Sequence, residues 1–293
     1  METAYTLSGG PTVHRIGFGA MRLCGQPGNF GRYPQWEEGK RLLRDLVTLG
    51  VQIIDTAEPY GPGFNEELIA EALYPYPADL VIATKGGVVK EAPDKIYPDG
   101  RPERLRQAAE ASLKRLRLES IPLYYFHRPD PKVPLADSIG ALVELKTEGK
   151  VQQLGLSNVT LKQLQEAQKQ TPIVAVQNRY APHDREFEEL LAYCDVQNIA
   201  FFPYGSLGAH PQRYGAPLAQ CSGVIEAMAK QHDATPIQLA LAWLLHHRKN
   251  IVLIPGSTRL AHMRENLAAT QISLSADEMQ RLARAYSLLN QSY

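Results

Sequence analysis

Four side chains have types and spacings that suit proton transfer at a carbonyl. Asp55 closes the apolar run VQIID (51–55), and Tyr60 follows in a loop that also holds Pro59, Gly61, Pro62 and Gly63. Lys85 follows the run DLVIAT (79–84), and His127 follows IPLYYF (121–126). An unperturbed tyrosine has a pKa of about 10, too high for easy proton exchange at neutral pH. A neighbouring cation lowers that value, and Lys85 is the cation at hand. A lysine at the end of a buried strand needs a counter-charge, which Asp55 supplies. His127 in its neutral form places an N–H on a substrate oxygen. Together the set suits protonation of an oxyanion formed as hydride reaches a carbonyl carbon. Singly, each residue has an ordinary reading: a turn aspartate, a packed loop tyrosine, a solvated lysine before Gly86-Gly87, a satisfied structural histidine. Their joint occurrence at successive strand ends is what points to chemistry.

The elements that must position them can be read from the apolar pattern. Eight short runs, 13–18, 51–55, 79–84, 121–126, 151–156, 172–177, 199–204 and 251–255, read as strands, and most are nearly continuous in apolar residues, as strands buried on both faces should be. Between them lie amphipathic patterns at 36–49, 65–74, 102–117, 136–149, 161–169, 186–196 and 236–248. Thr160–Gln163, Thr235–Gln238 and Ser275–Glu278 fit capping boxes, and Pro236 sits where a first helical turn accepts proline. This order predicts one α/β domain over 1–293, a (β/α)8 TIM barrel. An N-terminal β-hairpin, turning at Gly9-Gly10, precedes it, and an extra C-terminal helix at 276–290 follows it. A doubly wound open sheet is the alternative. The segment GFGAM lacks the third glycine of a dinucleotide fingerprint, and no helix pattern follows it at once. In a barrel, chemistry gathers at the C-terminal strand ends. Those positions hold Asp55, Lys85, His127, Ser157-Asn158, Gln177, Tyr204 and Pro255-Gly256-Ser257.

Composition narrows the function classes. The chain has 293 residues, 44% of them apolar, enough for a sizeable core. Lys plus Arg equals Asp plus Glu at 31 each, which leaves no electrostatic footprint for nucleic acid or an anionic membrane. Cys24, Cys194 and Cys221 show neither metal spacing nor a disulfide framework, as expected in a reducing compartment. No signal-peptide pattern opens the sequence and no run reaches the roughly 20 apolar residues of a membrane span. The expectation is a cytoplasmic protein, a monomer or small homo-oligomer, without a metal.

The motifs DTAEPYGPGFNEELIAEAL, ATKGG, FHRPD, GLSN, VQNRY, PYGSLG and IPGSTRLAHMRENLAA stand in one order over about residues 12–290. In this the chain resembles the aldo-keto reductases, nearest to bacterial general and pyridoxal-reductase-like members. The resemblance implies a barrel that binds NADPH without a Rossmann domain and reduces aldehydes or ketones to alcohols. It implies a catalytic tetrad of Asp55, Tyr60, Lys85 and His127. In it Tyr60 is the general acid, Lys85 lowers its pKa, Asp55 pairs with Lys85, and His127 orients the carbonyl. It also implies that Ser157, Asn158 and Gln177 hold the nicotinamide carboxamide and that Tyr204 stacks on the ring. Gly19, Ala20, Met21 and Asp55 then approach the nicotinamide, and Gly205, Ser206, Leu207 and Gly208 line the pyrophosphate. Ile254, Pro255, Gly256, Ser257, Arg259, His262, Glu265 and Asn266 take the adenosine end. Gly256 stands where many members have lysine, and His262 where many have arginine. NADPH remains the expected cofactor, with NADH possible and weaker.

The substrate pocket is expected to draw on Phe30, Tyr33, Trp36, Tyr60, His127 and Arg128. A tryptophan is common at the position of Arg128. An arginine there either recognises a carboxylate or phosphate or pairs with Asp130, and the pairing is the expectation. The short Pro- and Gly-rich fragment 206–221 suggests a modest lid and broad specificity, with pyridoxal a candidate aldehyde. Two other function classes compete. One is a cofactor-binding regulatory subunit with slow or no turnover. The other is a Schiff-base lyase with Lys85 as nucleophile, which would leave Ser157, Asn158, Gln177 and the 254–266 segment without a role.

Overall fold

The computed structural model describes residues 2–207 and 223–289. A hairpin of β1 (Ala4–Thr6) and β2 (Thr12–His14) opens the chain, antiparallel with Thr6 opposite Thr12. Then come β3 (Phe18–Gly19), β4 (Ile53–Asp55), β5 (Val81–Gly86), a short hairpin of β6 (Val88–Lys90) and β7 (Ile96–Pro98), β8 (Ile121–Phe126), β9 (Val151–Ser157), β10 (Ala175–Gln177) and β11 (Ala200–Phe201). The main sheet runs β11-β10-β9-β8-β5-β4-β3, with every pair parallel. The segment 251–253 closes it. It bridges Phe201 through Ile251 on one side and Ile16 through Leu253 on the other, both parallel. Gly17 N–H donates to the Leu253 carbonyl at 2.8 Å, Leu253 N–H to the Arg15 carbonyl at 2.8 Å, and Val252 N–H to the Phe201 carbonyl at 2.9 Å. Eight parallel segments thus make a closed (β/α)8 barrel with no free edge. The predicted strand 13–18 divides in two: its first residues pair in the β1–β2 hairpin, and Ile16 to Gly19 join the barrel.

Alternation along the strands sorts the core. Ile53, Val81, Ala83, Leu123, Tyr125, Ala175, Ala200, Phe202 and Val252 form the inner cluster. Their neighbours Ile54, Ile82, Tyr124, Phe126, Leu154, Val176, Phe201 and Ile251 pack outward on the helices. Leu7 and Val13 of the hairpin join the inner cluster, so the hairpin plugs the N-terminal end of the barrel. Gly155 is required inside: a Cβ there would stand 2.5 Å from the ring of Tyr125.

The helices are α1 (Trp36–Thr48), α2 (Phe64–Leu73), α3 (Pro102–Leu116), α4 (Leu135–Thr147), α5 (Leu161–Gln168), α6 (Glu188–Val196), α7 (Val224–Gln231), α8 (Pro236–His247), α9 (Leu260–Ala268) and α10 (Ala276–Leu289). The capping boxes of Thr160 and Thr235 are formed reciprocally, and Ser275 and Glu278 exchange the same bonds before α10. The predicted C-terminal helix is α10, whose Tyr286 meets Trp243 of α8 edge to face at 6.1 Å. Helix α7 and the β6–β7 hairpin were not foreseen. The three-residue strands are too short for periodicity to register, and α7, unlike the equally short α5, has no capping box to mark its start. No helix among the described residues is long and apolar enough to cross a membrane.

A polar joint ties α6 to α8. Glu188 accepts from His247 Nε2 at 2.9 Å, from Arg248 at 3.3 Å and from the Tyr180 hydroxyl. Burial alone would raise the Glu188 pKa, but the hydrogen bonds of His247 and Tyr180 outweigh it and bring the carboxyl down to about 2. The pKa is depressed from 4.5, so this stabilisation is present above that value and is lost as pH falls toward 2. Glu188→Gln is expected to cost about 1 kcal/mol at neutral pH. In calorimetry that is a fall in Tm of about 2–4 °C, with a gap to wild type that narrows on acidification to about pH 4.

Candidate active site

Asp55 ends β4 and Lys85 lies on β5 with its side chain fully buried. Asp55 is opposite Ala83, so Lys85, two residues on, shares its inward face. Lys85 Nζ stands 2.6 Å from Asp55 Oδ1 and donates to the Thr56 carbonyl at 2.8 Å. The other carboxylate oxygen of Asp55 accepts from Gln177 Nε2 at 2.8 Å. Burial pulls the Lys85 pKa below its ordinary value, opposed by the Asp55 carboxylate.

Tyr60 is carried by a loop fastened on both sides. Glu58 N–H donates to the Lys85 carbonyl at 3.1 Å, and Gly61 N–H to the Asn29 carbonyl at 3.0 Å. The Tyr60 ring centroid lies 5.2 Å from Lys85 Nζ, and its ring meets His127 edge to face at 6.3 Å. The tetrad therefore assembles. Burial, then the charge of Asp55, push the Tyr60 pKa well above its ordinary value, so the phenol is protonated across the neutral range, with the Lys85 ammonium near its ring.

His127 follows β8, with its N–H on the Gly86 carbonyl at 2.8 Å and its own carbonyl accepting from Asn158 Nδ2 at 3.0 Å. Burial, with Lys85 and Arg128, pulls its pKa well below the usual value, so the imidazole is neutral. Its buried Nδ1 has no hydrogen-bond partner among the described residues. A proton there would be an orphaned donor, so the N–H belongs on Nε2.

The expected nicotinamide residues also converge. Ser157 ends β9 opposite Gln177, which ends β10. Asn158, at φ 57°, accepts from the Tyr204 hydroxyl at 2.6 Å and donates to Ser157 Oγ at 3.0 Å. Gly205 turns at φ 65°, Ser206 is buried, and Leu207 packs on the outer core. Gly208 lies outside the described residues, as does most of the fragment 206–221. Gly19 and Gly256 press backbone to backbone: a Cβ on either would stand 2.6 Å from the Ile254 or Gly19 carbonyl. Ala20 and Met21 begin the turn that follows, where Ala20 is buried and Met21 half-buried. Ile254 and Pro255 are buried, and Ser257 Oγ accepts from Arg259 N–H at 3.1 Å and contacts His262 Nδ1 at 3.2 Å. Arg259 is the exposed residue that opens α9, on which His262 and Glu265 are exposed and Asn266 is buried.

The substrate residues divide. Phe30 is half-buried in the loop that meets Gly61. Tyr33 and Trp36 belong instead to the packing of α1 on α2, where Trp36 Nε1 donates to Glu71 at 2.8 Å. The sequence pattern starts a helix at residue 36 but does not show that its packing on α2 buries Trp36. Arg128 is exposed and does not pair with Asp130, whose oxygens take the N–H groups of Gly100 at 3.1 Å and Lys132 at 2.9 Å.

Sequence reasoning missed a buried frame behind the site. Glu66, at 0% exposure, accepts from Thr84 at 2.6 Å and Arg115 Nε at 2.7 Å, and Thr84 precedes Lys85. Asn65 accepts from Thr56 at 2.6 Å and donates to the Ala20 and Leu23 carbonyls at 2.9 and 2.8 Å. Glu58 pairs with Arg104 at 2.6 Å. The signal was two polar residues, Asn65 and Glu66, on the otherwise apolar face of α2. Arg115→Met is expected to cost about 3 kcal/mol or more, because Glu66 keeps a buried charge without its partner. Adding Glu66→Gln to it should recover part of the lost Tm.

The comparisons with known proteins agree with this geometry. The profile described as "Aldo/keto reductase family" matches residues 15–287. The pyridoxine 4-dehydrogenase of Escherichia coli K12 is 38% identical over 287 residues, 96% of this chain and 97% of that protein. A thermostable aldo-keto reductase crystallised with the inhibitor epalrestat superposes with a TM-score of 0.82 at 32% identity, over 97% of this chain and all of that one. An aldo-keto reductase from Klebsiella pneumoniae in complex with NADPH superposes at 0.81 and 26% identity, over 98% and 96% of the two chains. With a matching profile across nearly its full length and a closed barrel carrying the expected strand-end residues, the chain belongs to the aldo/keto reductase family of oxidoreductases.

Proposed function

We propose that this chain reduces aldehydes or ketones to alcohols, taking hydride from NADPH and the proton from Tyr60. One observation carries the reading: a buried Asp55–Lys85 pair at 2.6 Å lies beneath a tyrosine ring 5.2 Å from Nζ, with a neutral histidine at its edge.

The residues present fit the cofactor. Gln177 spends its amide N–H on Asp55 and keeps its carbonyl for a carboxamide, beside Ser157 and Asn158. Helix α9 starts without a side-chain cap, so its first N–H groups and exposed Arg259 suit a phosphate. The Klebsiella relative binds NADPH, which supports the same choice here. Bound nicotinamide would supply the hydride. This chain's residues would handle the rest. His127 Nε2–H donates to the carbonyl oxygen and orients it. As negative charge grows there, the Tyr60 hydroxyl gives up its proton to an alkoxide, a far stronger base than a phenolate, so the raised phenol pKa is no obstacle. Lys85, held by Asp55 and the Thr56 carbonyl, stabilises the phenolate left behind. Lys85 as a Schiff-base nucleophile fits less well, because two of its donor directions are already engaged. The pyridoxine 4-dehydrogenase relative makes pyridoxal a candidate substrate.

The first test is NADPH consumption with 4-nitrobenzaldehyde and pyridoxal. Tyr60→Phe is expected to lose about 10²-fold or more of turnover while still binding NADPH, because only the proton donor is removed. Turnover largely intact in the variant would remove Tyr60 from the mechanism, and tight NADPH binding without turnover in wild type would favour a regulatory role. Arg259→Ala is expected to weaken NADPH about tenfold more than NADH in fluorescence titration. Equal weakening would detach Arg259 from the 2′-phosphate.

A further inference from the structure

Among the described residues, Arg128 is a cation without a counter-charge beside the reacting groups. Its backbone is fixed, because the carbonyl of the His127–Arg128 peptide accepts from Asn158 Nδ2 at 3.0 Å and His127 N–H is tied to Gly86. Its side chain is exposed and makes no hydrogen bond or ion pair among the described residues. The acid nearest in sequence, Asp130, is buried and accepts from the Gly100 and Lys132 amides, one on each oxygen. Other cations around the strand ends are paired: Lys85 with Asp55, Arg104 with Glu58, and Arg179 with Asp184 and Glu186.

The position of that charge is informative. Burial and then Lys85 pull the His127 pKa down with a further push from Arg128, and Arg128 opposes the burial that raises Tyr204, so the guanidinium that directly follows His127 lies within electrostatic reach of both side chains. Tyr204 is in turn bonded to Asn158. Arg128 thus stands beside the place where His127 would hold a carbonyl. A guanidinium offers a planar fork of N–H donors that matches a carboxylate or phosphate. On a neutral substrate that fork would gain nothing over water. Building on the reductase reading above, we propose that Arg128 is an anion subsite, and that the preferred substrates are aldehydes carrying a carboxylate or a phosphate.

The test uses matched pairs with NADPH: 4-carboxybenzaldehyde against 4-nitrobenzaldehyde, and pyridoxal 5′-phosphate against pyridoxal. Wild type should favour the anionic member of at least one pair. Arg128→Leu should lose about tenfold or more in kcat/KM on that member relative to its neutral partner, chiefly through KM. Arg128→Lys should recover part of the loss, and the wild-type preference should fade with added salt. The pair that responds identifies carboxylate or phosphate. Equal change on both members of each pair, or none, would overturn the proposal. Calorimetric titration of benzoate and of inorganic phosphate into the NADP⁺-loaded proteins separates this from failure of the reductase reading. If no aldehyde is turned over, that reading fails. Anion binding about tenfold tighter to wild type than to Arg128→Leu would still establish the subsite, and equal binding would refute it.

Discussion

An ammonium with no solvent access cannot stand alone, and the site is arranged around that constraint. Desolvating an ion costs several kcal/mol, which a partner offsets only with close geometry and further hydrogen bonds. Lys85 has both, in Asp55 at 2.6 Å and the Thr56 carbonyl at 2.8 Å. Asp55 can serve because Gln177 occupies its second oxygen. The contact therefore engages three barrel strands, β4, β5 and β10. The neighbouring phenol stays protonated, because burial dominates at Tyr60.

Placing such a pair requires the loops around it to be held. Glu58 binds the strand of Lys85 through its N–H and binds α3 through Arg104. Asn65 joins the first and second loops by saturating its amide on Thr56, Ala20 and Leu23. Glu66 and Arg115 anchor α2 against α3 directly behind Thr84. These groups touch no reacting atom. They fix the backbone from which Tyr60 and Lys85 project, so the phenol and the neighbouring ammonium keep their separation.

The mouth of the barrel is shaped by loops of different kinds. Loops one and eight meet through Gly19 and Gly256, where no side chain fits. The loop after β8 turns Asp130 inward onto backbone amides and leaves Arg128 outward. That division of two opposite charges only two residues apart gives this face a positive contribution that the neutral whole-chain balance conceals.

Much of this was legible in the order of residues. Continuous apolar runs ending in Asp55, Gln177 and the residues before Lys85 and His127 mark strands buried on both faces, and their alternation with amphipathic segments determines the barrel. The capping boxes at Thr160, Thr235 and Ser275 are local, so short-range sequence determined them too. What tertiary structure alone decided depends on burial and long-range contact. Trp36 looked like a pocket aromatic until the packing of α1 on α2 buried it, with Tyr33 half-buried alongside. Asp130 looked like the partner of Arg128 until the Gly100 amide, 30 residues away, claimed it. The phenol of Tyr60 looked like an ordinary loop group beside a lysine, yet burial inside the closed barrel pushes its pKa up. Residue types and spacing are local properties, whereas solvent exclusion and the choice among competing partners arise only when distant strands close around them.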